Sequence, residues 1–328
     1  MELTKKRLAG LTVVLTLIYF IPLVFLPESI VGNRGDNFLL FAPRLLFLAG
    51  TAAVATAFVL LFVFKRKFVM GQLFAFQRYK YYMGLMIKRD FISRYRKSIF
   101  GVIWSWLNPL LMMLVMAAVF SHLFGGVFNV PHFPVYLFSG QLIFNFFSEG
   151  TTQAMTSLIN NEAIIKKIYV PKYVFPLTKV LSAFVNMGFT FIAFIIILLF
   201  SGVQLQWTLI LMPIPILYTF VFTLGVSMFI SSFAVFYRDV THLWAVLMQL
   251  LFFMTPIMYP VEILPDWIEP FYWLNPMVHF VMYFRDVAMF GVVPNLWANM
   301  VCIGFALASL CLGTYMFMSK QDRYIHNM

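Results

Sequence analysis

The chain has 328 residues, 62% of them hydrophobic and 11% charged, with a formal net charge of +11. Too few polar groups remain to cover a water-soluble fold of this size, so composition excludes a soluble domain and predicts an integral membrane protein. The basic residues sit between apolar blocks, not on one face of a soluble fold, which argues against a nucleic-acid partner and reads as topology-setting loops.

A hydrocarbon core about 30 Å thick needs about 20 apolar residues per helix. The blocks 8–27, 43–64, 101–123, 134–160, 180–200, 208–236, 243–259 and 293–318 qualify, which predicts eight spans. The first follows Lys5-Lys6-Arg7 and lacks a small-residue cleavage site before Pro27-Glu28, so it reads as a retained helix and not as a signal peptide. Between the second and third blocks stands Lys88-Arg89-Asp90-Phe91-Ile92-Ser93-Arg94-Tyr95-Arg96-Lys97. At about 100° per residue, Arg89, Asp90, Ser93, Arg94, Arg96 and Lys97 share one half of a helix. Leu85, Ile87, Phe91, Ile92 and Tyr95 share the other, with Met86 and Lys88 as misfits. The pattern predicts a basic amphipathic helix over 85–97, lying along the headgroup layer and entering the bilayer at Gly101.

The third block opens with Trp104, Trp106 and Asn108-Pro109, where the proline restricts the preceding residue and should break or kink the helix. In the fourth, Glu149 falls mid-span beside Asn145, Ser148, Thr151, Thr152 and Gln153. A carboxylate there is costly unless it faces a wet cavity or a partner, so this stripe is expected to line a pathway. The run Asn160 to Tyr173 is long for a plain reversal, and its polar start and Pro171 delimit a short amphipathic helix. A second connection, Tyr237-Arg238-Asp239-Val240-Thr241-His242, is one turn long.

The segment 256–292 carries Pro256, Pro260, Pro265, Pro270 and Pro276 together with Glu262, Asp266, Glu269, Arg285 and Asp286. Prolines at this density prevent one straight spanning helix. Two short helices near 265–274 and 277–290, dipping in from outside and returning, fit its apolar content; an outer loop folded on the surface is the alternative. With both termini inside, the inner stretches hold twenty Lys/Arg and the outer ones only Arg34, Arg44 and Arg285. That asymmetry sets the orientation.

Cys302 and Cys311 are too far apart along one helix for a disulfide, and the five histidines lack ligand spacing, so no metal site is expected. The dipeptide Gly-Lys of a phosphate-binding loop never occurs, and no acidic or histidine cluster suggests a membrane glycosyltransferase. Trp104, Trp106, Tyr136, Tyr259, Trp267, Tyr272, Trp273 and Tyr283 lie near predicted interfaces. They suit either an aromatic belt or stacking on sugar faces.

The string Lys88-Arg89-Asp90-Phe91 through Arg94-Tyr95, Ser98, Gly101, Trp104 and Leu107-Asn108-Pro109 resembles the opening of permease subunits in ATP-binding-cassette exporters of polysaccharides and teichoic acids. Ile165-Lys166-Lys167-Ile168-Tyr169-Val170-Pro171 resembles the first cytoplasmic coupling segment of that family, and Phe236-Tyr237-Arg238-Asp239-Val240 the second. Thr255-Pro256-Ile257-Met258-Tyr259 through Leu274-Asn275-Pro276 resembles its re-entrant outer region. The resemblance implies an all-α integral membrane fold, a type-2 ABC exporter permease. It has six core transmembrane helices, an amphipathic interface helix and two extracellular re-entrant helices, here with two extra N-terminal transmembrane helices.

The implied domains are a two-helix extension (1–70), a cytoplasmic linker and gate helix (71–100), and a six-span permease domain (101–328) with its re-entrant segment at 260–292. The extension could be a scaffold, a docking site or a substrate guide. The resemblance further implies a homodimer in the bacterial cytoplasmic membrane with two cytoplasmic ABC ATPase subunits beneath. ATP and Mg are used by those subunits, and no cofactor is bound by this chain. Lys88, Arg89, Asp90, Phe91, Arg94, Tyr95, Arg96 and Lys97 would form the gate helix. Lys166, Lys167, Ile168, Tyr169, Arg238 and Asp239 would couple to the ATPases. Trp104, Trp106, Asn108, Asn145, Glu149 and Tyr259 are the expected pathway residues for a lipid-linked glycan. The inferred outer mouth carries six carboxylates, at Glu28, Asp36, Glu262, Asp266, Glu269 and Asp286, against three arginines. That favours a neutral or weakly charged glycan over polyanionic teichoic acid; an exporter of drugs or small lipids is a further alternative.

Overall fold

The computed structural model describes residues 66–95, 101–124, 132–167, 170–261 and 269–324. The predicted spans 8–27 and 43–64 lie outside the described residues, as do Arg96, Lys97, Ile168, Tyr169 and Trp267. Among the described residues there are ten α-helices and no strand.

Helix α1 (Arg66–Tyr95) is followed by a 3-10 turn at Gly101–Ile103 and by α2 (Trp104–Phe124). Then come α3 (Phe133–Met155), the short α4 (Glu162–Lys167) and α5 (Val174–Phe200). A 3-10 turn at Trp207–Leu211 leads into α6 (Pro213–Ala234), and α7 (Val240–Met254) follows. Helices α8 (Glu269–Leu274) and α9 (Pro276–Arg285) are short, and α9 runs into a π-helical turn at Asp286–Phe290. The last helix is α10 (Leu296–Lys320).

Among the described residues, three helices are long and apolar enough to cross a membrane: Val174–Phe200, Trp207–Ala234 and Leu296–Lys320. At 1.5 Å per residue the 27 residues of α5 span about 40 Å. Helix α3 has 23 residues, a comparable length, but its second half is polar. It sits at the centre of the bundle, packed by α2, α5, α6, α7 and α9. That surround is what a polar stripe at membrane depth requires.

The tightest crossing joins α6 to α10. A Cβ on Gly225 would stand 2.3 Å from backbone atoms of Ser309 and Leu310, and one on Gly313 would stand 1.9 Å from the Gly225 carbonyl oxygen. Without a hydrophobic drive between helices in lipid, such small-residue contacts let the backbones attract at close range. Gly225→Val is therefore expected to separate the helices and to cost about 1–3 kcal/mol or more, read as a lower melting temperature of the detergent-solubilised protein.

The two ends of the bundle close differently. At one end Met83 and Met86 of α1, Ile165 of α4, Val174 and Phe175 of α5, and Phe317 and Tyr324 at the C-terminal side form a small apolar cluster. Tyr324 is fully buried there; its hydroxyl donates to the Phe317 carbonyl (3.0 Å) and lies 2.8 Å from Ser232 Oγ. Burial pushes its phenol up to about 12, so the hydroxyl stays neutral. The segments predicted to be cytoplasmic thus share one end.

The prolines divide as their surroundings dictate. Asn275 caps α9, its side chain accepting from the Met277 amide (3.0 Å), and Pro276 occupies the first helical position. At Asn108-Pro109, where a break or a kink was expected, there is no break: α2 runs from Trp104 to Phe124 with Pro109 inside. The proline falls near the helix start, where it removes a single early hydrogen bond. Two short helices were predicted near 265–274 and 277–290; two short helices stand at Glu269–Leu274 and Pro276–Arg285, and residues 265–268 lie outside the described residues.

The orientation of α1 corrects the helical-wheel reading. Met86, an expected misfit, is 4% exposed, while Leu85 and Ile92 are about half exposed at 48% and 51%. The side of the helix that meets the bundle carries Met83, Met86 and Asp90, and Phe91 stacks on Phe189 of α5 at 5.2 Å. Asp90 and Arg94 turn toward the bundle, where Lys179 and Glu149 offer them opposite charges, while Lys88 and Arg89 stay exposed.

Candidate functional site

The polar second half of α3 builds a cleft of about 430 Å³ with α2 and α5. Asn145, Ser148, Glu149, Thr152 and Gln153 of α3 line it, with Asn186 and Thr190 of α5 opposite. Leu142, Phe146, Met187 and Pro109 supply its apolar surface. Thr151, expected in the same stripe, is fully buried on the other side of α3 and donates back to the Phe147 carbonyl (2.8 Å). On a helix, positions 145, 148, 149 and 152 share a face and 151 does not.

Glu149 is saturated by donors. Arg94 of α1 approaches one carboxylate oxygen at 2.6 Å, and Gln153 Nε2 donates to the same oxygen at 2.8 Å. Asn186 Nδ2 donates to the other at 2.8 Å. Its charge is thus balanced where solvation is incomplete. One turn earlier on α1, Asp90 pairs with Lys179 of α5 at 2.6 Å. The two pairs have opposite polarity, so α1 is clasped to α3 and α5 in a fixed register. Arg89 lies on the open side, 3.2 Å from Asp90, and Lys88 is exposed. The side chain of Tyr95 lies outside the described residues.

Next to the apolar cluster, α4 presents Lys166 and Lys167 on its exposed side while Ile165 is buried. Lys166 pairs with Glu162 at 2.5 Å, one turn back. Arg238 and Asp239 are exposed in the turn before α7; among the described residues no ion pair joins them.

The remaining expected pathway residues are not gathered here. On α2, Trp104 and Asn108 are exposed and only Pro109 reaches the cleft; the Trp106 side chain lies outside the described residues. Tyr259 belongs to the opposite end, where its carbonyl accepts from the Tyr136 hydroxyl (2.9 Å) and its own hydroxyl donates to the Phe253 carbonyl (2.6 Å).

That opposite end holds a group the sequence reading passed over. Arg285 is 3% exposed and donates to the carbonyls of Pro256 (2.6 Å), Tyr136 (3.0 Å) and Ile257 (3.1 Å) and to Ser139 Oγ (3.3 Å). Its guanidinium lies 3.4 Å from the Tyr136 ring centroid. Gly140 leaves it room, since a Cβ there would stand 2.8 Å from an Arg285 nitrogen. One side chain thus ties α3, the stretch after α7 and α9 together. The available signal was an arginine in the apolar run Val281-Met282-Tyr283-Phe284. Lys179, counted only as a loop charge, was likewise missed as the partner of Asp90.

A family model described as ABC-2 type transporter matches residues 81–289, more than half of the chain and from α1 to the π turn. The O-antigen export system permease protein RfbA of Klebsiella pneumoniae is 29% identical over 259 residues, covering 76% of this chain and 95% of the relative. Its namesake in Myxococcus xanthus is 26% identical over 252 residues, covering 75% and 96%. The polysialic acid transport protein KpsM of Escherichia coli is 20% identical over 261 residues, covering 75% and 96%.

Proposed function

This chain belongs to the ABC-2 type transporter family, and from that premise we propose that it is the membrane-spanning permease subunit of an ATP-driven polysaccharide exporter. The observation that carries the reading is the match of the bundle core, α1 through the π turn, to that family, alongside relatives named for O-antigen and polysialic acid transport. The cargo is a lipid-linked glycan crossing the bacterial cytoplasmic membrane. This chain does no chemistry; ATP, with Mg, is hydrolysed by two separate cytoplasmic subunits that push on α1, α4 and the 237–242 turn.

The finer architecture we propose is six core spans per protomer, two short outer re-entrant helices, both termini inside, and residues 1–70 as an added two-span extension. A second copy of the chain completes the pore. The exposed apolar faces of α2 (Leu111, Met112, Leu114, Val115) and α7 (Leu243, Val246, Leu250, Phe253) are available to that copy and to lipid.

The reading is tested at α4. Reversing both exposed lysines, Lys166→Glu with Lys167→Glu, removes the local pair with Glu162, a loss of about 0.3–0.5 kcal/mol that leaves the fold intact. The complex with its ATPase is expected to keep hydrolysing ATP while export of cell-surface glycan falls to background. Normal export would remove α4 from the transmission path. Failure of the chain to purify with any ATPase subunit would remove the exporter reading itself.

A further inference from the structure

We propose that the cleft between α2, α3 and α5 is a binding subsite for neutral, hydroxyl-rich sugar units, opened when Arg94 leaves Glu149. The inference rests on the exporter reading and deepens it by naming the ligand chemistry of one cavity inside a single protomer.

The lining decides the ligand class. The cleft volume of about 430 Å³ falls within the range of small-molecule sites, about 300–1,000 Å³. Asn145, Thr152 and Ser148 present amide and hydroxyl groups, each able to donate and to accept, which is the pattern that matches a sugar hydroxyl. Phe146 and Met187 provide apolar surface for the C–H faces of a ring. An anionic ligand would need a cation whose charge is not already balanced. The cation at the mouth, Arg94, lies 2.6 Å from the Glu149 carboxylate, and both amides that reach Glu149 add donors to that same anion. With Arg94 in place the cavity is polar and close to electrically neutral; once Arg94 has left with α1, the lining holds no cation and the Glu149 carboxylate would repel a phosphate a few ångströms away.

Position supports loading from the basic end. Gln153 lies two residues from the end of α3, and Thr190 stands further along α5 toward mid-helix, so the cleft extends inward from the end where α1 packs. Helix α1 reaches that end through the Arg94–Glu149 ion pair, and parting that pair would free the Glu149 end of the cleft.

The test uses the full chain with its ATPase subunits, with Cys311→Ser to remove the half-buried native thiol; Cys302 is buried. Thr152→Cys or Asn145→Cys is introduced, both positions being exposed within the cleft. A small uncharged thiol reagent is applied to cells that make the glycan and to cells blocked at the first step of its synthesis. Labelling is expected to be several-fold slower in producing cells at both positions, and unchanged for Leu217→Cys on the exposed side of α6. Equal rates in the two strains, with the complex assembled, would overturn the subsite. So would slowing by inorganic phosphate added to the purified complex, because that identifies an anion site. Two positions are used so that one variant failing to assemble still leaves a reading. The exporter reading is judged apart, from the unsubstituted chain, whose deletion must retain glycan inside the cell.

Discussion

Arg285→Met is expected to lower the yield of monodisperse protein extracted from membranes by about tenfold or more. The guanidinium holds four acceptors drawn from two segments, α3 and the stretch after α7, and ties both to α9; it is 3% exposed. Methionine fills similar volume but leaves the Ile257 carbonyl and the 2.6 Å bond to the Pro256 carbonyl unmade. Each buried acceptor left unsatisfied costs about 1–3 kcal/mol, and the stacking on Tyr136 is lost as well. Set against a typical stability of about 5–15 kcal/mol, that is a large fraction. Arg285→Lys is expected to fall between, because an ammonium cannot span the four acceptors a planar fork reaches. Gly140→Ala supplies an independent check, since its new Cβ would crowd the same guanidinium at 2.8 Å. The measurement is size-exclusion yield and melting temperature. Export per correctly folded molecule should stay unchanged, because the side chain is sealed from any cargo; loss of export at normal yield would contradict the clamp.

What the sequence made legible follows from how local each signal is. A run of apolar residues commits a segment to the membrane whatever surrounds it, and α5, α6 and α10 stand where such runs occur. Proline acts on its own backbone, so an interruption between two short helices at 269–285 could be read from the spacing of the prolines. At Pro109 the same residue type does not end the helix, because there it lies near the helix start. The stripe around Glu149 was legible because helical spacing assembled it, apart from Thr151, which points away. Partners distant in sequence were not legible. The wheel for α1 assumed that charges face water and apolar groups face protein, whereas Asp90 and Arg94 face protein because Lys179 and Glu149 await them. Arg285 was unreadable for the same reason, as its acceptors are mostly backbone carbonyls, which carry no signature in a sequence.

Reversing either member of the Asp90–Lys179 pair is expected to reduce export by at least about tenfold, and reversing both to restore it to within a few-fold of the parent. Both side chains are largely buried, at 16% and 18% exposed, and they lie 2.6 Å apart. Asp90→Lys alone sets two ammonium groups against each other there, and Lys179→Asp alone sets two carboxylates. An exposed ion pair would contribute only about 0–1 kcal/mol. A shielded like-charge contact costs more, and its relief requires α1 to leave α5. The displacement would carry Arg94 away from Glu149 one turn along the helix, so both pairs part or misregister as a unit. Asp90→Lys with Lys179→Asp rebuilds the contact with inverted polarity and leaves Arg94 in place. Rescue by the double variant therefore tests the clasp as a contact between two helices, which a requirement for each charge separately would not satisfy. Glu149→Ala is expected to behave differently. It strands the donors of Arg94, Gln153 and Asn186 together, so no single partner substitution should recover it. Cell-surface glycan, measured with complex abundance and ATP hydrolysis held alongside, separates the cases. A double variant as defective as its parents would mean that α1 is held by its apolar contacts at Met83, Met86 and Phe91, with the ion pairs incidental.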